Sequence, residues 1–236
     1  MPVARNLTVT AADGTRLVVD HHLPPPPGDG SRPGVGVVVW IRTPYGRKGI
    51  ASIAKRFAKA GAHVVVEALR GTDGSGGRYD PFNVTPDDAA DVLTWLRGQP
   101  WFPRVIVTWG ISAIGYASWA LTDLDVPEWR LAILQDAPSE LRDGLVYPGG
   151  IFAGKVMLGF LGGVEWQAAH WRASLPRAML ASVRTARRAT KVLADMPLGT
   201  ADQRLVGHRV DYFQDWLAHE DDEEYWKPLD RRRGAP

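Results

Sequence analysis

A serine hydroxyl becomes a useful nucleophile only where the backbone presents it on a sharp, rigid turn, and one stretch of this chain has that make-up. The β-branched run Val105-Ile-Val-Thr-Trp109 meets Gly110, then Ser112, then residues 113–119, which can form a helix. A strand turning tightly into a helix with serine at its apex is how a nucleophile elbow is built. Such a turn needs small neighbours, because the serine backbone is strained and strand and helix pack closely. Gly110 supplies one of them. Ile114 stands where a second glycine is usual, and Gly115 follows it. A bare Gly-x-Ser is common by chance, so its surroundings decide its meaning.

Two further residues could serve such chemistry. Tyr45 lies in the loop Arg42-Thr-Pro-Tyr-Gly-Arg47, and its hydroxyl could donate to an oxyanion or simply pack. Arg70 opens the glycine-rich loop Arg70-Gly-Thr-Asp-Gly-Ser-Gly-Gly-Arg78, where it could hold loop carbonyls or touch substrate. That loop fits neither glycine fingerprint for nucleotides. Gly74-Ser-Gly76 is followed by Arg78 and Tyr79, so the third dinucleotide glycine is absent. Gly77-Arg78-Tyr79 lacks the Lys-Ser/Thr of a P-loop. A nucleotide-dependent oxidoreductase is therefore disfavoured.

The elements needed to position these groups follow from hydrophobic pattern. Asn6–Thr10 and Arg16–Leu23 alternate around Asp13-Gly14, as a β-hairpin does. Pro24–Pro27 and the following Gly-Asp-Gly-Ser predict a surface loop. Val35–Ile41, His63–Ala68, Val105–Trp109 and Leu131–Leu134 are continuous apolar runs, the signature of strands buried on both faces. Between them, Ile50, Ile53, Ala54, Phe57 and Ala58 share one helical face that Gly61 ends. Thr85 and Pro86 can open a second helix, with Asp87 and Asp88 in its first turn and Ala89, Val92, Leu93 and Leu96 facing a core. This alternation predicts an α/β fold with a doubly wound, mostly parallel sheet. Tyr45, Arg70 and Ser112 then each follow the carboxyl end of a different strand, where such sheets gather their functional groups.

After Pro138 strand alternation ceases. Met179, Leu180, Val183, Ala186 and Ala189 predict a helix face, with Arg184, Arg187, Arg188 and Lys191 around the other side, either solvated or touching an anionic partner. Residues 139–226 read as a helical cap insertion, 1–138 as the N-terminal part of a hydrolase-like core, and 227–236 as a tail leading toward the rest of that core.

Composition narrows the field. The 236 residues are 45% hydrophobic and 23% charged, ordinary for a globular protein. Lys+Arg 28 against Asp+Glu 26 leaves +2, with no global electrostatic case for nucleic acid. Without cysteine there is no disulfide, thiol nucleophile or thiolate metal site. The start Met-Pro-Val-Ala-Arg-Asn lacks a signal-peptide core and no apolar run is long enough to span a membrane, so the expectation is a cytoplasmic protein.

Several motifs occur together in order: Arg42-Thr-Pro-Tyr-Gly-Arg47; Glu67-Ala-Leu-Arg-Gly71 with Ser75-Gly76; Asp87-Asp88 opening a helix that reaches Trp95-Leu96; Gln99-Pro-Trp101; and Gly110-Ile-Ser-Ala-Ile-Gly115. Together they resemble the cocaine esterase / X-Pro dipeptidyl-peptidase-like (CocE/NonD) family of α/β-hydrolases, and residues 216–228 resemble the end of that family's helical cap. The resemblance implies an α/β-hydrolase fold with a helical cap, and a serine hydrolase of ester or amide bonds, X-Pro peptide bonds included. Ser112 would be the nucleophile, with the Tyr45 hydroxyl and the Ala113 N–H forming the oxyanion hole. Arg70 and Glu67 would support the loops. Small acyl esters or peptides would be the substrates, with no metal, no organic cofactor, no nucleic acid and no membrane involved.

Two departures from the family pattern are minor: Ala113 replaces the usual tyrosine after the serine, and Glu67 a common aspartate. A third is larger. Family members carry a triad aspartate, a histidine and a β-sandwich domain further on, and Asp230–Pro236 comes before all three. The histidines do not fill this gap: His21, His22 and His63 belong to upstream strands, and His170, His208 and His219 to the cap. Chain order would permit Asp211 with His219, but these are not triad positions in the family. The expectation is a chain truncated before its triad base, completed by a second polypeptide, or a non-catalytic fragment or binding module. An apolar edge beside Leu131–Leu134 would then be exposed, favouring self-association.

Overall fold

The computed structural model describes residues 2–26, 36–81, 84–170, 175–195 and 197–234. The chain forms two compact units, Met1–Ala137 with Arg233–Pro236, and Pro138–Arg232.

The first unit is built on a six-stranded sheet. Its strands are β1 (Val3–Thr10), β2 (Arg16–His22), β3 (Val38–Thr43), β4 (His63–Ala68), β5 (Ile106–Ile111) and β6 (Trp129–Gln135), in the order β1-β2-β4-β3-β5-β6. β1 and β2 form the expected antiparallel hairpin, and β2 pairs antiparallel with β4. β4, β3, β5 and β6 are parallel. The predicted loop at Pro24–Pro27 has no regular secondary structure as far as residue 26, and the remainder lies outside the described residues, as does Val35.

Apolar side chains make β3 and β4 the centre. α1 (Arg47–Lys59) packs Ile50, Ala54 and Ala58 on Val39 and Ile41 of β3 and on Val64 and Val66 of β4, all buried. α2 (Pro86–Arg97) starts at Thr85 with Pro86 in its first turn, and buries Ala89, Val92, Leu93 and Leu96. Two ion pairs fasten it: Arg70 to Asp88 at its start, and Arg97 to Glu128 at its end (2.8 Å). The short α3 (Ala113–Ser118) leaves β5 and is buried throughout.

β6 is not buried on both faces as its apolar run suggests, but forms the exposed apolar edge expected there. It is the outermost strand of the sheet, and Leu131 and Ile133 are 53% and 41% exposed. Pairing sets Leu131 beside Val107 and Ile133 beside Trp109; Val107 and Trp109 pack against the α1 cluster, whereas Leu131 and Ile133 extend the row as exposed apolar groups.

The second unit is helical: α4 (Gly154–Ala169), α5 (Leu175–Ala194), α6 (Ala201–Val206), α7 (Asp211–Ala218) and α8 (Glu223–Trp226). Its core joins Tyr147, Leu158, Leu161, Phe213 and Trp216, with the Tyr147 hydroxyl donating to the Trp216 carbonyl (2.9 Å). On α5 the predicted apolar face is only partly internal. Ala189 and Val192 are buried, whereas Leu180 and Val183 are half exposed, and the Met179 side chain lies outside the described residues. No helix among the described residues is long and apolar enough to cross a membrane.

The amino end of β4 holds an unusual aromatic group. The His21 Nε2 and His63 Nδ1 atoms are 3.0 Å apart and share one proton, and Trp101 stacks on both rings, 3.9 Å from His21 and 4.8 Å from His63. Burial lowers the His21 pKa from 6.5 to about 4, helped by the neighbouring His63 and His22, and burial also lowers His63. The unfolded chain therefore takes up protons that the folded chain refuses. Stability is expected to be complete above pH 6.5 and to fall as pH drops toward about 4. Urea unfolding across that window should show this slope, and His21→Phe should flatten it.

Candidate active site

Ser112 stands between β5 and α3 with φ 55° and ψ −131°, a conformation that side chains other than glycine seldom adopt. Strain of this kind is worth about 1–3 kcal/mol and persists only where neighbours enforce it. Here the Ser112 N–H donates to the Gln135 carbonyl of β6 (2.9 Å), and the Ser112 carbonyl accepts from Tyr116 N–H (2.9 Å). The side chain is left exposed at the apex.

The glycine spacing has a steric reason. A Cβ on Gly110 would collide with the backbone of Gly115, and one on Gly115 would lie 2.6 Å from Ala137 Cβ. Strand and returning helix thus touch backbone to backbone at this pair. The glycine displaced by one position in the sequence performs this close packing.

Tyr45 reaches the elbow from the loop after β3. Its hydroxyl is hydrogen-bonded with the Ser112 side chain and accepts the Ala113 N–H. Burial pushes the phenol above its ordinary value, and these two bonds pull the other way, so it stays protonated at neutral pH. The three groups singled out in the sequence, Ser112, Tyr45 and Ala113, therefore meet at one point.

What holds Tyr45 there was not apparent in the sequence. Gly46 takes φ 82°, and the next residue, Arg47, is buried. The Arg47 backbone N–H donates to Asp73 (2.7 Å), and its guanidinium lies 3.3 Å from Asp20 and donates to the Asn6 side chain (2.9 Å). This clamp joins the Tyr45 loop to the hairpin and to the glycine-rich loop. A basic residue at a helix start carries no pattern that would announce it.

Arg70 and Glu67 both act through ion pairs, Arg70 at the loops and Glu67 inside the sheet. Arg70 holds carboxylates and a hydroxyl rather than loop carbonyls: Asp88 (3.0 Å from Nε), Asp13 (2.7 Å) and Thr15 (2.7 Å). It fastens the hairpin turn to α2, and Gly77 passes so close to its stem that a Cβ there would lie 2.7 Å from Arg70 Cγ. Glu67 supports no loop. It is a fully buried residue of β4, paired with Arg42 of β3 (2.9 and 3.1 Å) and accepting from the Trp40 indole (2.9 Å). Arg42 also donates to the Ala117 carbonyl of α3 (2.9 Å). The pair therefore braces the helix that follows Ser112. Burial raises the Glu67 pKa, opposed by Arg42.

No histidine among the described residues is hydrogen-bonded to Ser112. His21 and His63 bond each other, His170 the Trp166 carbonyl, and His208 Glu165. His219 binds Asp222 (2.8 Å), so the Asp211–His219 pairing that chain order would allow is not formed. Among the described residues no group of three or more His, Asp or Glu could hold a metal ion.

With this geometry in hand, comparison with known proteins is informative. The family model of X-Pro dipeptidyl-peptidase (S15 family) matches residues 13–233. The chain belongs to this family of hydrolases. It is 26% identical over 250 residues to cocaine esterase of Rhodococcus sp. (strain MB1 Bresler), covering 96% of this chain and 40% of that protein. Among solved structures, an aminopeptidase from a marine sediment Thaumarchaeota archaeon superposes with a TM-score of 0.65 at 16% identity, covering 98% of this chain and 40% of the other. A CocE/NonD family hydrolase from Staphylococcus aureus gives 0.58 at 21% identity, covering 71% and 33%. An α-amino acid ester hydrolase gives 0.62 at 16%, covering 99% and 40%. These likenesses establish the α/β-hydrolase fold. The chain spans 40% of the length of the curated relative it matches.

The brace offers a test. Removing one member of a buried ion pair strands the other charge and costs about 3–5 kcal/mol. Glu67→Gln is expected to lose that much in urea unfolding, whereas the double change Arg42→Met with Glu67→Leu should lose clearly less.

Proposed function

We propose that this chain carries the nucleophile and oxyanion hole of a serine hydrolase that cleaves ester or amide bonds, X-Pro peptide bonds included. The observation that carries this reading is the meeting of the strained, exposed Ser112 with the Tyr45 hydroxyl and the Ala113 N–H. The Ser112 oxygen would attack a substrate carbonyl carbon. The carbonyl oxygen, entering between Tyr45 and Ala113, would draw both donors as its charge develops. Collapse would expel the alcohol or amine and leave an acyl group on Ser112, which water then removes.

A serine hydroxyl needs a base to take its proton, and loss of a triad member costs several powers of ten in rate. We propose that an imidazole from another segment, or from a second polypeptide, serves here. The exposed row Leu131, Ile133 and Ile111 supports this reading, because a uniformly wetted sheet face has no reason to be apolar. Alone, the chain is expected to self-associate through such surface, and a monodisperse monomer with cooperative melting would count against that.

The direct test is fluorophosphonate labelling together with p-nitrophenyl acetate hydrolysis. Ser112→Ala should abolish labelling. Tyr45→Phe should slow Ser112-dependent hydrolysis by about 10²–10³, the usual cost of one oxyanion donor. Equal rates for the parent chain and Ser112→Ala would leave a hydrolase fragment without its base, and absence of labelling as well would favour a binding module that retains the pocket.

A further inference from the structure

The helical unit Pro138–Arg232 contains an open cavity of about 470 Å³ of its own, bordered by α4, α5 and α6. This is within the size range of small-molecule sites, about 300–1,000 Å³. Its base is apolar and tightly made. Gly162 of α4 approaches Thr185 of α5 so closely that a Cβ would collide with the threonine methyl, and Leu205 of α6 closes the third side. One wall is aromatic, with the Trp166 indole and the His170 imidazole stacked face to face 4.8 Å apart at 12°.

Its charge has a definite sign. The only carboxylate in the lining, Glu165, is already occupied: His208 bonds one oxygen (3.0 Å) and the Tyr212 hydroxyl donates to the other (3.1 Å). Facing it are two guanidinium groups one helical turn apart on α5, Arg184 and Arg188. Arg188 donates a single bond to the Arg204 carbonyl (2.9 Å), which leaves most of its donors open. Arg184 has no hydrogen-bond or ion-pair partner among the described residues. Two cations against one engaged anion leave the cavity net positive above an apolar floor.

We infer that this cavity is a binding site for an organic carboxylate with a flat, apolar body. The ring would lie along the Trp166–His170 wall over Leu205. Its carboxylate would take the fork of Arg184 and the open donors of Arg188, a geometry in which guanidinium and carboxylate pair two bonds at a time. The site lies wholly within the helical unit and does not depend on the Ser112 reading.

Isothermal titration of the full 236-residue chain with 2-naphthoate tests it. One equivalent of 2-naphthoate is expected to bind, and 2-naphthamide, which keeps the ring and loses the charge, should bind at least about tenfold more weakly. Arg184→Ala should weaken naphthoate by about tenfold without altering the melting temperature, since its side chain bonds to nothing among the described residues. Arg184→Lys, which keeps the charge but not the fork, should fall between the two. Arg187→Ala, on the same helix but outside the lining, should change nothing. Equal binding of acid and amide, equal effects of Arg184→Ala and Arg187→Ala, or no heat with millimolar naphthoate would each overturn the proposal.

Discussion

The buried pair Arg42–Glu67 is the constraint on which the Ser112 end of the sheet depends. Both side chains are completely inaccessible to solvent, one on each of the two central strands. Two charges in such a place survive only if every donor and acceptor is used. Glu67 accepts from both Arg42 nitrogens and from Trp40, and Arg42 passes its remaining contact to the Ala117 carbonyl of α3. The arrangement is directional where apolar packing is not. It fixes the rotation and depth of the helix behind Ser112, and with them the aim of Ala113 N–H. A hydrophobic replacement could fill the same volume, but it could not specify where a six-residue helix begins.

The elbow shows how two constraints are met by separate residues. Ser112 needs an uncommon backbone conformation, which the bonds to Gln135 and Tyr116 enforce. Strand and helix must also touch, and the glycines answer that need. Gly110 and Gly115 are opposite each other in space although five apart in sequence. The usual second glycine, two after the serine, is therefore not the one that this packing demands. Ile114 can occupy that place because its side chain turns into the α1 core cluster.

Much of this was legible from the chain itself, for a physical reason. Buried parallel strands such as residues 63–68 read as unbroken apolar runs, and α1 and α2 carry their core faces at helical spacing. Tyr45 and Ser112 were readable as neighbours because each follows the carboxyl end of a strand in a mostly parallel sheet. The misreadings share a cause. Glu67 and Arg70 are ionic residues whose partners, Arg42 and Asp88, lie 25 and 18 residues away, and no local pattern reports a long-range ion pair. The Arg47 clamp was invisible for the same reason. At Leu131 and Ile133 the apolar run announced a preference for burial but not the neighbour that provides it, and the edge expected there is exposed.

The oxyanion side and the base side of a serine hydrolase differ in how local they are. Ala113 N–H comes from the serine's own turn, and Tyr45 from the strand directly beside it, so both are fixed once β3, β4 and β5 have paired. An imidazole has no such local origin, and the six histidines here have other partners or other places. His21 and His63 are committed to a neutral stacked pair under Trp101, and His219 to Asp222. On the proposed reading, such separability lets a chain that spans 40% of its relative carry the nucleophile turn together with its donors. The parts that position charge are built by the nearest strands, and only proton transfer requires a group from elsewhere.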